Sequence, residues 1–264
     1  MPPLQVWKAH AYGNDFLCVP ATDVDHDLPA LARSICSRHR GIGADGLVVY
    51  AMRPGGGSMQ LFNADGSRSE LSGNGLRCLA AIVSRTQRLT SGSSIVIDTD
   101  DGAKTLELLS HDGDRYTFRT AMGAPADLRQ VDIPLGAERI TASVLRMGNP
   151  QCIVLGPLPD EDRFRELGRA LATHPLFTSG TNVEFVEVET PDRIRILIWE
   201  RGVGPTSSSG TGSSASAVAA AAHGGARRDI EVVAPGGSQR VEWREDGVFL
   251  TGWAHVVLDG YWTG

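Results

Sequence analysis

One short pattern occurs twice in this 264-residue chain: SGNG at 72–75 and SGTG at 209–212, each leading into residues suited to a helix, with the two serines 137 positions apart. A glycine-framed serine in front of a helix leaves first-turn amides without intrahelical acceptors and supplies a side-chain oxygen that caps one of them. Recurrence at about half the chain length predicts a duplicated folding unit rather than one large layered domain.

The order of elements around each copy agrees. In the first half, LQVWKAHAYG and FLCVPATD read as strands around the turn-rich GNDF, and LPALARSICSRH (28–39) places Leu28, Leu31, Ile35 and Cys36 at helical spacing. LVVYAM then reads as a strand, RPGGGS as a turn and SMQLFNADGS as a strand ending in a loop. In the second half, SVLRMGNPQCIVLG reads as strand, turn and strand, DEDRFRELGRALATH as a charged amphipathic helix, and TNVEFVEVE and RIRILIWERG as strands. SSASAVAAAAHGG reads as a buried helix stopping at glycines, and RVEWREDGVFLTGWAHVVLDGYW as a hairpin with DG at its turn. The expectation is an α+β chain of two domains, 1–120 and 121–264, with the last strand packing on the first domain. The pattern breaks near 118–125, at TAMGAPADL.

Charge narrows the partners. A net charge of −6 and no run of Lys or Arg disfavour nucleic acid, so a small molecule is expected. Cys18, Cys36, Cys78 and Cys152 show no CxxC spacing and no His-rich neighbour, which predicts reduced thiols rather than a metal site or disulfide framework. MPPLQVWKAHAYGND has no apolar leader core, and no stretch reaches the roughly 18 apolar residues of a membrane span. A cytoplasmic protein with no membrane partner is therefore expected.

Free amides and the helix dipole favour an anion at each paired loop, and a carboxylate suits both. If the halves close about a pseudo-twofold axis, Ser72 and Ser209 approach one bound carbon from opposite sides. A two-base epimerase needs that arrangement, with helix starts stabilising the enolate-like charge that develops on the carboxylate. Read separately, TSSSGTGSSAS is also a Gly/Ser linker and SGNG an ordinary helix cap. The regular strand RIRILIWE before one copy and the Ala-rich helix after it favour the functional reading. Neither copy is a phosphate-binding P-loop, which requires GK followed by Ser or Thr.

GNDF at 13–16, RGIGADGL at 40–47, FNADGS at 62–67, SGNGLRC at 72–78, MGNP at 147–150, TNVEF at 181–185, and WERGVG with SGTG across 199–212 resemble the diaminopimelate epimerase family. The resemblance is collinear over about 200 residues. It implies two pseudosymmetric domains, each a barrel-like, mostly antiparallel sheet around a central helix, acting without pyridoxal phosphate or metal; no cofactor is expected. It also implies that Asn14, Asn63, Asn149, Asn182 and Arg201 hold the far end of a diamino diacid, that Glu200 faces an ammonium, and that the Gly73–Asn74 and Gly210–Thr211 amides hold the reacting carboxylate. A homodimer is the assembly it suggests. The chemistry is coherent, because Arg forks a carboxylate and Asn both donates and accepts. Each Asn alone would read equally as a loop cap or Asx-turn, and Glu200–Arg201 as a surface pair.

The resemblance fails at its reactive positions. The family motif carries Cys where this chain has Ser72 and Ser209, a His where it has Gln151, and an acid where it has Pro205. A thiol is readily tuned to a thiolate, whereas an aliphatic hydroxyl does not titrate in the usual range and needs an adjacent base. Glu70, Glu200, Asp45 and Asp65 are the candidate assistants. Weakened or altered isomerase chemistry is expected, with an isomerase or dehydratase of another carboxylate, or a non-catalytic amino-acid binder, as alternatives. The changes at 151 and 205 favour natural divergence over a laboratory exchange of two cysteines.

Overall fold

The computed structural model describes residues 3–24, 27–69 and 72–264. The chain forms two compact units, residues 1–120 with 252–264, and residues 121–251.

The first unit contains β1 (Leu4–Ala11), β2 (Asn14–Pro20), α1 (Leu28–Ile35), β3 (Gly46–Arg53), β4 (Gly56–Asn63), the short β5 (Arg68–Ser69), α2 (Gly73–Gln87), β6 (Ser94–Thr99), β7 (Gly102–Asp112) and β8 (Arg115–Gly123). It also takes the end of β17 (Gly247–Trp262). β17 pairs antiparallel with β1 and β1 with β2; β2 and β3 are parallel, β3 and β4 antiparallel, and β4 and β6 parallel. β6, β7 and β8 follow as antiparallel neighbours, and β8 meets β17 to close the ring. β5 adds only a two-residue ladder to β4.

α2 runs inside that ring. Its residues from Asn74 to Ser84 are all buried, so the helix has no wet face, as a helix encircled by strands requires. Leu79, Ala80, Ile82 and Val83 pack against Ala9, Val48, Leu61, Ile95, Leu106, Phe118 and Val256. Each fully buried aliphatic side chain of this kind contributes about 1.5–3 kcal/mol relative to exposure. α1 lies on the outer face of the same strands, with Ala32 and Ile35 against Leu17, Leu47, Val49 and Phe62. Asp27 caps it, its carboxylate accepting from Ala30 N–H. The helix expected over 28–39 ends at Ile35 because the next loop folds back: Ile42 and Gly43 N–H both donate to Ile35 C=O, at 2.9 and 3.0 Å. Gly41 permits this, since a Cβ there would sit 2.4 Å from Ser34 O.

The second unit contains β9 (Ala126–Leu135), β10 (Glu138–Met147), β11 (Asn149–Leu155), α3 (Glu161–Ala172), β12 (Asn182–Thr190), β13 (Arg193–Glu200), β14 (Gly204–Thr206), α4 (Gly210–His223), β15 (Asp229–Ala234), β16 (Gly237–Arg244) and the start of β17. From β9 to β17 its pairings run antiparallel, antiparallel, parallel, antiparallel, parallel, antiparallel, antiparallel, with β14 as a short spur on β13. The first unit shows the same series from β17 through β1 to β8, with β5 as the spur. In both, helices link the parallel neighbours, and one of them packs inside the curve of the sheet. α4 packs there in the second unit with small residues, Ala215, Val218, Ala219 and Ala220, against Ile194, Ile196, Ile198, Val232, Val241 and Leu250. Asp160 caps α3 by accepting from Arg163 N–H. Among the described residues, no helix is long and apolar enough to cross a membrane.

Candidate active site

Each unit offers a helix start of the same construction. Ser72 has extended backbone angles, φ −130° and ψ 123°, and its Oγ accepts from Gly75 N–H at 3.2 Å. Ser209 has φ −140° and ψ 126°, and its Oγ accepts from Gly212 N–H at 3.1 Å. Ser209 Oγ also lies 3.5 Å from Thr211 Oγ1. Gly73 and Asn74 open α2, and Gly210 and Thr211 open α4, so their amides belong to first turns without intrahelical acceptors. Both hydroxyls are thus held as caps over a group of anion-seeking donors.

Ladder register identifies matched positions. Asn63 lies opposite Gly46 at the end of β4, and Glu200 ends β13; each stands nine residues ahead of its serine. Asn14 and Asn149 open β2 and β11, and two residues later come Phe16 and Gln151, paired with Gly46 and Asn182. The Tyr12–Gly13 hairpin, both residues with positive φ, sets Asn14, and Gly148 at φ 77° sets Asn149.

In the first unit the expected binding residues are wired to one another. Asn74 Nδ2 donates to Asn14 Oδ1 at 3.1 Å, and Asn14 Nδ2 donates to Asp45 Oδ2 at 2.8 Å. Arg77, 1% exposed, donates from Nη2 to Asn74 Oδ1 at 2.5 Å and lies 5.9 Å from the Tyr12 ring centroid. Among the described residues its Nε has no hydrogen-bond partner, and burial lowers its pKa. Asn63 is tied into a turn, donating to Ser67 Oγ at 2.9 Å. The candidate assistants divide. Asp45 is engaged by Arg38 and Asn14, Asp65 accepts both Ser67 N–H and Oγ–H, and Glu70 lies outside the described residues.

The second unit carries the acid chemistry. Burial raises the Glu200 carboxyl pKa, and the neighbouring Ser209 hydroxyl opposes the rise. Glu184, fully buried on β12, was not anticipated from the sequence. Its Oε1 comes within 2.5 Å of where a Gly212 Cβ would stand, against the same point that Ser209 Oγ approaches at 3.1 Å. Burial first, and the Glu200 charge second, push its pKa far above the ordinary carboxylate range. With the Gln151 amide turned to satisfy its surroundings, its nitrogen donates to Glu184 Oε1 and Oε2 at 3.1 and 3.2 Å, and its oxygen accepts from Asn182 Nδ2 at 3.3 Å. The Asn149 amide approaches Gln151 at 2.5 Å. Asn182 Oδ1 in turn accepts from Arg201 N–H at 2.9 Å, while the Arg201 guanidinium donates to Ser179 C=O at 2.6 Å rather than to Glu200. Pro205 sits exposed on β14 opposite Trp199. The sequence signal for Glu184 is a charged residue inside NVEFV, a run buried at every position; for Arg77 it is a cation between buried Leu76 and Cys78.

Two internally repeated units, each holding one buried helix that starts at a glycine-framed serine, make up the fold, and the protein is an isomerase of the racemase and epimerase type, as its relatives show. The structure of a predicted epimerase from Pseudomonas aeruginosa superposes with a TM-score of 0.73, covering 99% of both chains at 14% identity. The sequence profile described as diaminopimelate epimerase matches residues 6–126 and 143–257. Diaminopimelate epimerase of Desulforudis audaxviator is 39% identical, with 98% of this chain and 99% of the relative covered, and that of Halothermothrix orenii is 35% identical with 97% of each covered. The chain belongs to the diaminopimelate epimerase family.

Proposed function

We propose that the protein inverts, or exchanges the α-hydrogen of, an amino-acid carboxylate of the diaminopimelate type, with chemistry weakened by serine at positions 72 and 209. The observation that carries this reading is the doubled cap: each unit holds a hydroxyl on a first-turn amide beside further free amides. The substrate carboxylate is bound by amides of Gly73–Asn74 and Gly210–Thr211, which also stabilise the charge it gains as the α-carbon loses its proton. Ser72 and Ser209 exchange that proton with the carbon, and Asn14, Asn63, Asn149, Asn182 and Arg201 orient the rest of the substrate. Ser209 is the better proton-transfer group, because the Glu200 carboxyl lies beside it, whereas Asp45 and Asp65 are engaged elsewhere. Glu200 also offers an ammonium a carboxylate.

Incubation with diaminopimelate in D₂O, read by NMR at the α-carbon, tests the reading. Slow deuterium incorporation by the native chain, rising by at least about 10²-fold in the Ser72→Cys/Ser209→Cys double variant, is the expected result, since general acid–base groups contribute factors of that order. Absence of incorporation in both proteins would remove diaminopimelate as the substrate.

A further inference from the structure

Behind Ser209 lie two carboxyls and, among the described residues, no cation paired with either. Glu184 stands opposite Ile198 in the β12–β13 ladder, and Glu200 follows Ile198 by two residues. Residues two apart on a strand share a face, so both carboxyls lie on the side where Ile198 packs against α4. Diagonal neighbours in such a ladder are about 7–8 Å apart at their Cα atoms, within reach of two glutamates. The groups that face them are few. β11 contributes the neutral Gln151; the start of α4 contributes Ser209, Thr211 and the first-turn amides; Arg201 turns to Ser179 C=O; Cys152, next to Gln151, lies on the other face with Val183 and Phe185. Two carboxylates held together without a cation cannot both ionise freely.

The matched place in the first unit lacks this device. Phe16 stands where Gln151 stands, and its ring meets the Cβ position of Gly75 at 3.4 Å, where in the second unit Gly212 meets Glu184. Asn63 replaces Glu200, and Val48, two residues beyond Gly46, replaces Glu184, two residues beyond Asn182. The acid pair is therefore not a requirement of the fold.

We infer that Glu184 and Glu200 form a carboxyl pair sharing one proton behind Ser209, which reprotonates that hydroxyl when it gives its own proton away. The inference rests on the functional reading above only for what Ser209 does with its proton. In donation, the Ser209 O–H bond breaks, a C–H bond forms at the α-carbanion, and the shared carboxyl proton moves to Oγ, leaving both glutamates ionised. In the reverse step Oγ–H passes its proton to the pair as it receives one from carbon. Gln151 holds Glu184 in place as a positioning residue, and Glu184 acts through Glu200 and Ser209 rather than on substrate.

The test is a ¹³C-carboxyl NMR titration of glutamate-labelled, ligand-free protein, comparing the native chain with E184Q and E200Q. A shared proton predicts reciprocity. In E200Q the Glu184 midpoint falls by at least about one pH unit, and in E184Q Glu200 titrates in a single step, the size of coupling that makes two sites act as one. Midpoints that ignore the partner's substitution overturn the inference, as does a Glu184 that ionises at an ordinary carboxylate pH. The second readout is the pH profile of α-hydrogen exchange. E184Q loses the alkaline limb while KM stays unchanged; a variant that alters KM or melting temperature alone marks Glu184 as structural and overturns the proposal. Reciprocal midpoints without exchange into any amino acid leave the carboxyl pair standing and defeat the functional reading alone.

Discussion

Arg77 shows how far a single residue departs from what its surroundings tolerate. A guanidinium buried to 1% exposure, hydrogen-bonded to Asn74 and, among the described residues, with its Nε unpaired and no carboxylate against it, retains a desolvation cost. An anion on the Asn74 amide would lower that cost. Arg77→Met is expected to melt at or above the native temperature without ligand and to lose most of the stabilisation that millimolar diaminopimelate confers. Differential scanning fluorimetry with and without the diacid checks both. A large drop in ligand-free stability would assign Arg77 to packing alone. At this scale the sequence disclosed the two serines, because SGNG and SGTG repeat in identical context. It did not disclose Glu184 or Arg77, whose significance comes from being buried, a property that a charged letter in an apolar run only hints at.

The two capped helices are alike as elements and unlike in what crowds them. A Cβ at Gly75 would touch Phe16 at 3.4 Å, an ordinary contact, whereas one at Gly212 would meet Glu184 Oε1 at 2.5 Å and Ser209 Oγ at 3.1 Å. Gly212→Ala is expected to cost about 1–3 kcal/mol through overpacking, and Gly75→Ala to be near neutral, since Ala exceeds Gly in helix propensity by about 1 kcal/mol. Urea unfolding of the two variants measures the difference; equal losses would mean that Glu184 yields easily. The helices α2, α3 and α4 were legible from their caps and periodicity. Strands β6 to β9 were less so, although DDG at 100–102 and DGD at 112–114 carry hairpin signals there. The end of α1 was misread because its stop is made by Ile42 and Gly43 N–H folding back on Ile35 C=O, with no glycine or proline between Ile35 and Arg40 to mark it.

For the molecule as a whole, buried acids set the dependence of stability on pH. Burial opposes ionisation of Asp15, but hydrogen bonds from Arg38 and Lys8 outweigh it, so its folded pKa lies below the unfolded value; its contribution is present above that unfolded value and disappears as pH falls through the folded one. Glu184 behaves oppositely. Its folded pKa is raised, so the folded state binds the extra proton, and the stability this gives declines as pH rises from the unfolded pKa near 4.5 towards the folded one. Native protein should therefore lose stability with rising pH across that window more steeply than Glu184→Gln. Chemical denaturation at a series of pH values gives both slopes, and parallel slopes would show that Glu184 ionises freely when folded. The repeated motif made the duplication readable at this scale; the residue at which β17 passes into the first unit was not, because long-range strand pairing that no local pattern encodes sets it.

The matched pairing series with mismatched contents has an evolutionary consequence. Once Phe16 and Asn63 occupied the places that Gln151 and Glu200 hold in the other copy, the repeats ceased to be interchangeable. Swapping one half's sequence into the other would keep the order of parallel and antiparallel pairings and still erase the acidic side. Each copy of the scaffold therefore carries its own sequence constraints, and a substitution tolerated in one is not thereby tolerated in the other.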